Sequence, residues 1–525
     1  MLSENILLKF ITLKVFDFTI SRRIIMKLNK TLLSCAVALA VGTSFASHAD
    51  TQNKSVSSSQ LSTQVSTESL ENSLTLSQTS NENNAFLYQE GDSNTMLVTT
   101  TGNNNDTEVV QSQFGNYAEV TTTGDNNTQV YSQDGVANGF ISEVTGNNNM
   151  LFVSQFGQGF FVNNEAINIV TGDDNLIDVE QGSGGHWFYN MDMQGNANEI
   201  MSLQQGEWHE AEITMLSGDE NTLDLVQDGY WDTFKVSSLQ GNDNELDVEQ
   251  NGDRNAVAFS SISGDANEIE IEQDGLTNAV TFAAVVGDDN QIDLDQEGSL
   301  NTIESNLFEG ANNEVTATQV GAENLMTADL IGDNNELTSL QNGDFNESYM
   351  GVIGSDNEFS TTQVGDLNSV HLANFNGTDN DVDLVQSGDE NVMLVQSSYP
   401  DVSLTSNNND IDIAQSGAQN EAVVTLAGIL DSNDNQIDIA QDGMLNLVDM
   451  MVEGSSHSID ISQEGEGNWV SGVEQSAFLV GGENVSFTVT QVGNDNLVEG
   501  SVIGYDSTVS VTQIGDGNTA TITQM

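Results

Sequence analysis

The chain has 525 residues, with 80 acidic against 9 basic side chains and a formal net charge of −71. A surface this negative cannot replace the counterions of a phosphate backbone, so we expect no nucleic-acid partner. Hydrophobic residues make up 37% of the chain and there is one proline, which argues against a disordered protein. The only cysteine, Cys35, lies in a predicted export signal, so the exported chain can form no disulfide.

The first 49 residues have the features of an export signal. Residues 26–30 (MKLNK) give a short basic start, residues 31–41 are mostly apolar, and residues 47–49 (SHA) fit the small-x-small cleavage rule. Met26 is an alternative start, in which case residues 1–25 lie upstream of the coding sequence. No later stretch is long and apolar enough to form a membrane-spanning helix. We therefore predict that residues 1–49 direct export and that the protein is secreted, not integral to a membrane.

A repeat of 22 or 23 residues fills residues 69–525, after a Ser/Thr/Gln-rich stretch over 50–68 that we predict to be a flexible leader. The pattern G-x-x-N-x-φ-x-φ-x-Q-x-G-x-x-N, where φ is apolar, is clear over residues 264–278. Its register is kept by eighteen glutamines: Gln111, Gln133, Gln155, Gln181, Gln204, Gln227, Gln250, Gln273, Gln296, Gln319, Gln341, Gln363, Gln386, Gln415, Gln441, Gln463, Gln491 and Gln513.

Each repeat has the alternation of a half-buried strand. Over residues 267–273, Asn267, two isoleucines and Gln273 alternate with glutamates, and Asn278 begins a second strand of the same kind. A strand–turn–strand–turn unit of this length cannot bury its apolar face alone, so we predict an all-β solenoid of about 20 stacked rungs. The inward Asn and Gln side chains should then form amide ladders from rung to rung.

The repeat resembles the curlin repeat of curli subunits, the amyloid fibres of bacterial biofilms. Residues 267–278 match its first strand and turn, and residues 507–524 match a whole repeat, S-x5-Q-x-G-x-x-N-x5-Q. The resemblance implies a β-solenoid, export through an outer-membrane secretion channel, and fibre assembly by self-association or co-assembly with similar subunits. The chain departs from the family in its length, in its acidity and in second strands that lack the closing Gln, such as those with Ala284 and Leu307.

Outward positions of neighbouring repeats carry stacked acidic residues. Three predicted columns are Glu245, Glu268 and Gln291; Asp247, Glu270 and Asp293; and Glu249, Glu272 and Asp295. Carboxylates about 5 Å apart repel one another, which raises their pKa values. We expect acid, salt or Ca²⁺ to favour assembly by relieving this repulsion. Binding of Ca²⁺ should be diffuse, with no cofactor and no dedicated metal site.

Three tryptophans, Trp187, Trp208 and Trp231, each follow a glycine by two residues. If these turns are equivalent, consecutive rungs stack the three rings into an aromatic column. Packing of turn on turn is the favoured interpretation of such a column. An adhesive patch that stacks on sugars is the functional alternative.

No catalytic motif is present, and the histidines of the repeat region (His186, His209, His371 and His457) are scattered along the sequence, so we predict no enzyme. The leading hypothesis is a secreted, curlin-like amyloid fibre and biofilm-matrix protein that acts in adhesion and surface attachment. The alternative is a soluble extracellular rod that binds divalent cations or carbohydrate.

Overall fold

The computed structural model describes residues 54–56, 63–68 and 71–525, apart from gaps at 158–162, 183, 216, 219–220, 242–243, 265, 288, 306, 308, 311, 330, 333, 335, 352–355, 357, 374, 376–378 and 398–403. The predicted export signal lies outside these described residues. Within them the only helix is a 3₁₀ turn at Val473–Gln475, and no helix there has the length and apolar character to cross a membrane.

Strands alternate along the chain between two columns, and each strand pairs in parallel with the strand one turn further on. The first column contains Thr63–Glu68, Asn84–Glu90, Asp106–Phe114, Thr128–Val136, Met150–Gly157, Leu176–Gln181, Glu199–Glu207, Thr222–Tyr230, Glu245–Asp253, Glu268–Ile269, Glu272–Leu276, Gln291–Ile292, Gln296–Ser299, Glu314–Ala322, Glu336–Asn342, Glu358–Val364, Asp381–Asp389, Asp410–Ala418, Gln436–Met444 and Ser458–Glu466.

The second column contains Lys54–Val56, Ser73–Thr79, Thr95–Thr101, Tyr117–Thr123, Gly139–Thr145, Glu165–Thr171, Trp187–Gln194, Glu210–Thr214, Thr233–Lys235, Ala256–Val257, Ala279–Thr281, Thr302–Ser305, Leu325–Ala328, Glu347–Tyr349, Ser369–Ala373, Val392–Ser397, Glu421–Leu426, Leu447–Ser455, Trp469–Ser471 and Thr519–Gln524. Two long strands, Phe478–Val492 and Leu497–Ile514, pass through both columns. Four two-residue strands complete the set: Ile262–Ser263, Val285–Val286, Ser406–Asn407 and Ser432–Asn433.

The core lies between the two columns because alternate residues of every strand face inward. In Asp410–Ala418, Ile411, Ile413 and Gln415 are buried while Asp410 and Asp412 are exposed. Each isoleucine stacks on the isoleucine of the next rung, in register. Burial of one such side chain contributes roughly 1.5–3 kcal/mol, and stacking is what removes it from water.

Tight turns connect the columns, and glycine is required where successive turns touch. Gly388 has a φ of +117°, and a Cβ added there would lie 1.9 Å from the carbonyl oxygen of Gly417 in the next turn. A side chain at this position would therefore collide with backbone. The residue just before the ladder Asn also has a positive φ, for example +55° at Asp434 and +57° at Leu445.

The prediction of an all-β solenoid with amide ladders is confirmed, with about 18 turns in the structure against the roughly 20 expected. Two short strands are described within residues 50–68, the range predicted to be a flexible leader. Lys54–Val56 pairs with Leu76–Gln78, and Thr63–Glu68 pairs with Ala85–Glu90, both in parallel register. Alternating β-branched residues (Thr63, Val65 and Thr67) explain why this stretch forms strand without the full repeat motif.

Candidate assembly surface

A ladder of buried glutamines runs through the first column. Gln341 shows the standard arrangement: its Nε2 donates to Oε1 of Gln363 at 2.8 Å, and its Oε1 accepts from Nε2 of Gln319 at 2.7 Å. The same Nε2 also donates to the backbone carbonyl of Leu325 in the second column at 3.0 Å. All eighteen predicted glutamines occupy this position in register, and Gln89 extends the ladder by one rung.

The ladder is interrupted in one place. In the described part of the chain, Nε2 of Gln250 and the Oε1 atoms of Gln273 and Gln296 have no hydrogen-bond partner, although the three residues remain in register. Strand structure is broken at the same rungs, since residues 270–271 and 293–295 are not in strand. The perfect local repeat of the sequence gives no sign of this interruption.

Buried asparagines form a ladder in each column. In the second column, the backbone N–H of Asn278 donates to Oδ1 of Asn255 at 3.0 Å, and its own Nδ2 donates to the carbonyl of Asp274 at 3.2 Å. In the first column, Nδ2 of Asn267 donates to Oδ1 of Asn290 at 2.8 Å. Both predicted asparagines therefore donate to backbone carbonyls, and each is also hydrogen-bonded to the asparagine of a neighbouring rung.

Three residues that we did not assign to the ladders replace asparagine in consecutive rungs of the second column. His186, His209 and Asp232 occupy these positions, and all three are fully buried. The two imidazole rings are parallel with centroids 5.0 Å apart, and Nδ1 of His209 lies 3.2 Å from Oδ2 of Asp232. These histidines are thus stacked, not scattered. The G-x-x-N pattern could have shown this, because His209 and Asp232 stand in its Asn place after Gly206 and Gly229.

The outward carboxylates of the first column stack as predicted. Glu245 pairs in register with Glu268, and Glu249 with Glu272. Burial and then repulsion from Asp295 and Glu249 raise the pKa of Glu272 to about 7; burial followed by neighbouring carboxylates raises that of Asp295 to about 6. Burial is thus the larger cause, and the predicted repulsion adds to it. Among the described residues no three His, Cys, Asp or Glu side chains are arranged to hold a metal ion.

The tryptophans do not form one column. Trp187 directly follows the ladder residue His186, and it is the first residue of a strand, where it pairs with Glu210. Trp208 directly precedes the ladder residue His209, so it lies two positions away from the residue that pairs with Trp187. Trp208 packs on Gly185 and meets the ring of Trp187 edge-on, with centroids 6.3 Å apart. The predicted stack of three rings is therefore wrong for Trp187.

Trp231 is the most accessible of these three rings. It is 49% exposed and stacks on Tyr230 with ring centroids 5.5 Å apart. The guanidinium of Arg254, from the next turn, lies 5.8 Å from the centroid of the Trp231 ring. A flat aromatic pair with an adjacent cation is thus presented to solvent on one turn edge.

The last rung, formed by residues 507–514 and 519–524, exposes one edge. In earlier rungs the N–H of each outward residue donates to the following rung, as from Gln436 to the carbonyl of His457 at 2.8 Å. The N–H groups of Ser510 and Thr521 point in this direction, and no described strand follows to accept them. The inward Val509 and Val511 are correspondingly only half-buried, unlike the fully buried Phe487 and Val489 one rung before.

Comparison with known families agrees with the geometry. A family model described as the curlin associated repeat matches residues 195–229, 241–275, 287–321, 332–365 and 433–465. Each match includes glutamines of the buried ladder, such as Gln204 and Gln227 in the first. No curated protein matches the chain.

Proposed function

The chain belongs to the curlin-repeat family, and from this we propose that it is a secreted structural protein that assembles end to end into extracellular fibres of a biofilm matrix. The observation that carries the proposal is the last rung. It holds the same inward pattern as the other rungs (Val509, Val511 and Gln513) and presents unpaired backbone donors on its outer edge. An edge of this kind is a template for another strand.

The partner is a second copy of the chain, or a similar subunit, whose first rung continues the parallel stack. Such a contact joins two different surfaces, so it does not close and produces an open filament. The Gln ladder continues across the joint, because Gln513 accepts from Gln491 through its Oε1 and has no following glutamine in the described chain. Export through an outer-membrane channel and a cell-surface location belong to the same proposal.

The charge distribution supports assembly at the ends of the rod. The outward residues of the last rung are Thr508, Ser510, Thr512, Thr519, Thr521 and Thr523, and none carries a charge. Ser73, Thr75 and Ser77 are likewise uncharged near the other end of the described strands. Interior rungs such as Asp410–Ala418 carry carboxylates instead. Repulsion is thus concentrated on the sides, where it opposes unspecific aggregation, and the outward strand positions of the last rung add none to the joint.

Adhesion is assigned to the exposed turn edge that bears Trp208 and Trp231. The flat pair of Tyr230 and Trp231 offers a stacking surface for a ring-shaped, uncharged ligand such as a sugar, which the acidic surface does not repel. Replacing both tryptophans with Ala should abolish binding to immobilised polysaccharide while fibres still form. Binding equal to that of the native chain would reject this role.

The proposal is tested by incubating the purified chain with thioflavin T and recording fibre diffraction from the product. We expect fluorescence to rise with time and a meridional spacing near 4.7 Å, the distance between stacked strands. A chain that stays monomeric at all concentrations and pH values tested would instead favour the alternative, a soluble binding rod.

A further inference from the structure

Three of the histidines stand where other rungs have a ladder asparagine. In a standard rung of the second column, Oδ1 of Asn94 accepts the backbone N–H of Asn116 in the next rung at 2.9 Å. Nδ2 of the same Asn94 donates to the carbonyl of Glu90, four residues earlier, at 3.0 Å. A residue that replaces asparagine here must supply one acceptor and one donor with this geometry.

His209 and His457 supply both. Nε2 of His209 lies 2.6 Å from the carbonyl of Gln205, four residues earlier, and its Nδ1 accepts the N–H of Asp232 at 3.3 Å. Nε2 of His457 lies 2.9 Å from the carbonyl of Glu453, and its Nδ1 accepts the N–H of Val485 at 3.2 Å. Only the neutral imidazole with its proton on Nε2 makes both bonds.

His186 makes the same contact to the next rung. Its Nδ1 accepts the backbone N–H of His209 at 3.3 Å, while its own N–H donates to Oδ1 of Asn164 at 3.1 Å. In all three histidines, protonation places a second N–H on Nδ1, directly against the backbone N–H that it had accepted. A buried donor then loses its only acceptor, and asparagine, which does not titrate, has no such state.

We propose that mild acid opens the rod at two defined levels, the rungs of His186 and His209 and the rung of His457, while rungs with asparagine at this position stay closed. The histidines act as proton-sensitive substitutes for the ladder asparagines, which do not titrate. Opening at these levels exposes strand edges inside the rod.

Other ionisable groups face these histidines at the first level. The rings of His186 and His209 face each other. The carboxyl of Asp232 lies on the other side of His209, and Asp253 is the next carboxylate near Asp232. Asp232 Oδ2 stands where asparagine would place its donor, so one proton must lie between it and Nδ1 of His209. Burial raises the pKa of Asp232, which favours the proton on that carboxyl, and a protonated carboxyl supplies the donor that asparagine has at this place.

His457 has simpler surroundings. The ladder residues above and below it, Asn435 and Val485, do not ionise. The nearby carboxyl of Glu453 is buried, and burial raises its pKa. Hydrogen bonds from the backbone N–H groups of Ile429 and Leu430 lower this pKa by a smaller amount. The level at His457 therefore tests the histidine effect without an acidic partner in the ladder.

The direction of the pH effect follows from burial. Burial, and then the neighbouring His209, lowers the pKa of His186 to about 4, and burial lowers the pKa of His457. In an opened rung the same imidazole titrates near its ordinary value of about 6.5. The contribution of His186 and of His457 to rung stability is thus complete above pH 6.5, falls as the pH drops below it, and stops falling below the folded pKa.

Hydrogen–deuterium exchange of the full monomeric chain tests the proposal. After correction for the chemical exchange rate, peptides over 184–214 and 453–487 should exchange about 10- to 100-fold faster at pH 4.5 than at pH 7.5. Peptides over 314–349, whose second-column ladder residues are Asn324 and Asn346, should show no such increase and serve as the internal control. Equal acceleration in all three regions would overturn the proposal.

A variant with His186→Asn, His209→Asn and Asp232→Asn, and a separate His457→Asn variant, restore the standard ladder. Each should lose the acid-induced exchange at its own level and keep it at the other. Persistence of the acid response in both variants would also overturn the proposal. If a variant fails to fold, the comparison of histidine and asparagine rungs within the native chain still decides the question.

Discussion

Gln250 and Gln273 lie in register on adjacent rungs, yet no hydrogen bond joins their side chains. Their outward neighbours, Glu249 and Glu272, also lie in register, and Asp295 follows on the next rung. These carboxylates repel one another at the level where the amide ladder is interrupted and where strand structure is lost. The acidic face and the interrupted ladder therefore lie on the same strands, with alternate residues facing outward and inward.

This level should become more stable in mild acid. The pKa of Glu272 is raised to about 7 and that of Asp295 to about 6, above the ordinary values of 4.5 and 3.8 that apply when the rungs open. Rung stability therefore increases as the pH falls through 7 and levels off near the ordinary values. Exchange of peptides over 268–299, corrected for the chemical rate, should be slower at pH 5 than at pH 8. Faster exchange at pH 5 would contradict the assignment.

Removing the charges should reproduce the effect of acid. The double variant Glu272→Gln and Asp295→Asn should slow exchange over 268–299 at pH 8 by roughly 10-fold, part of the repulsion being screened by solvent. Its pH dependence there should disappear. Glu304→Gln is the matched control, because Glu304 stands between Thr281 and Thr327, with no carboxylate directly above or below it. A control that slows exchange equally would show a general charge effect.

The free-energy cost of replacing one ladder glutamine should depend on whether the ladder is intact at that rung. Gln341→Leu removes three hydrogen bonds, the one accepted from Nε2 of Gln319 and those donated to Oε1 of Gln363 and to the carbonyl of Leu325, at a cost of about 3 kcal/mol. Gln273→Leu loses only the bond from Nε2 to the carbonyl of Ala256 and should cost about 1 kcal/mol. Free energies of local opening from native-state exchange measure both. Equal costs would mean that the ladder bonds do not stabilise the rod.

Glycine at the contact between turns should tolerate no side chain. Gly388→Ala brings a Cβ against the carbonyl of Gly417 and should destabilise its rung by more than about 3 kcal/mol. Gly115→Ala is the control: Gly115 has a φ of +71° and no atom within 4 Å of its Cβ position, so only about 1 kcal/mol of backbone strain is expected. The same exchange measurement distinguishes the two variants. Similar values would show that close turn packing is not essential.

The repeat period made the fold predictable, because spacing alone places Gln386, Gln415 and Gln441 above one another even across insertions. The ladder position of His209 could also have been predicted from the sequence, since His209 stands where other repeats have the asparagine of the G-x-x-N turn. Trp187 was misplaced because two adjacent glycines, Gly184 and Gly185, offer alternative turn frames. One-dimensional spacing could not decide between them.

The interruption at Gln273 could not be predicted from the repeat. Its sequence motif is complete, and the carboxylates that repel one another at this level, Glu249, Glu272 and Asp295, lie a full turn apart in the sequence. The strength of their repulsion depends on burial as well as on spacing, and burial is a property of the folded rod. Strand pairing within residues 54–68 was missed for a related reason: β-branched alternation is sufficient for pairing where neighbouring rungs provide the template.

The central claim is that copies join through the outer edge of the rung formed by residues 507–524. Ser510→Pro with Thr521→Pro removes two outward N–H groups that have no acceptor on any described strand, so the monomer should stay folded. Thioflavin T kinetics should show no fibre growth from this variant alone, while Ser510→Ala with Thr521→Ala should match the native chain. Fibre growth by the proline variant at the native rate would contradict the claim.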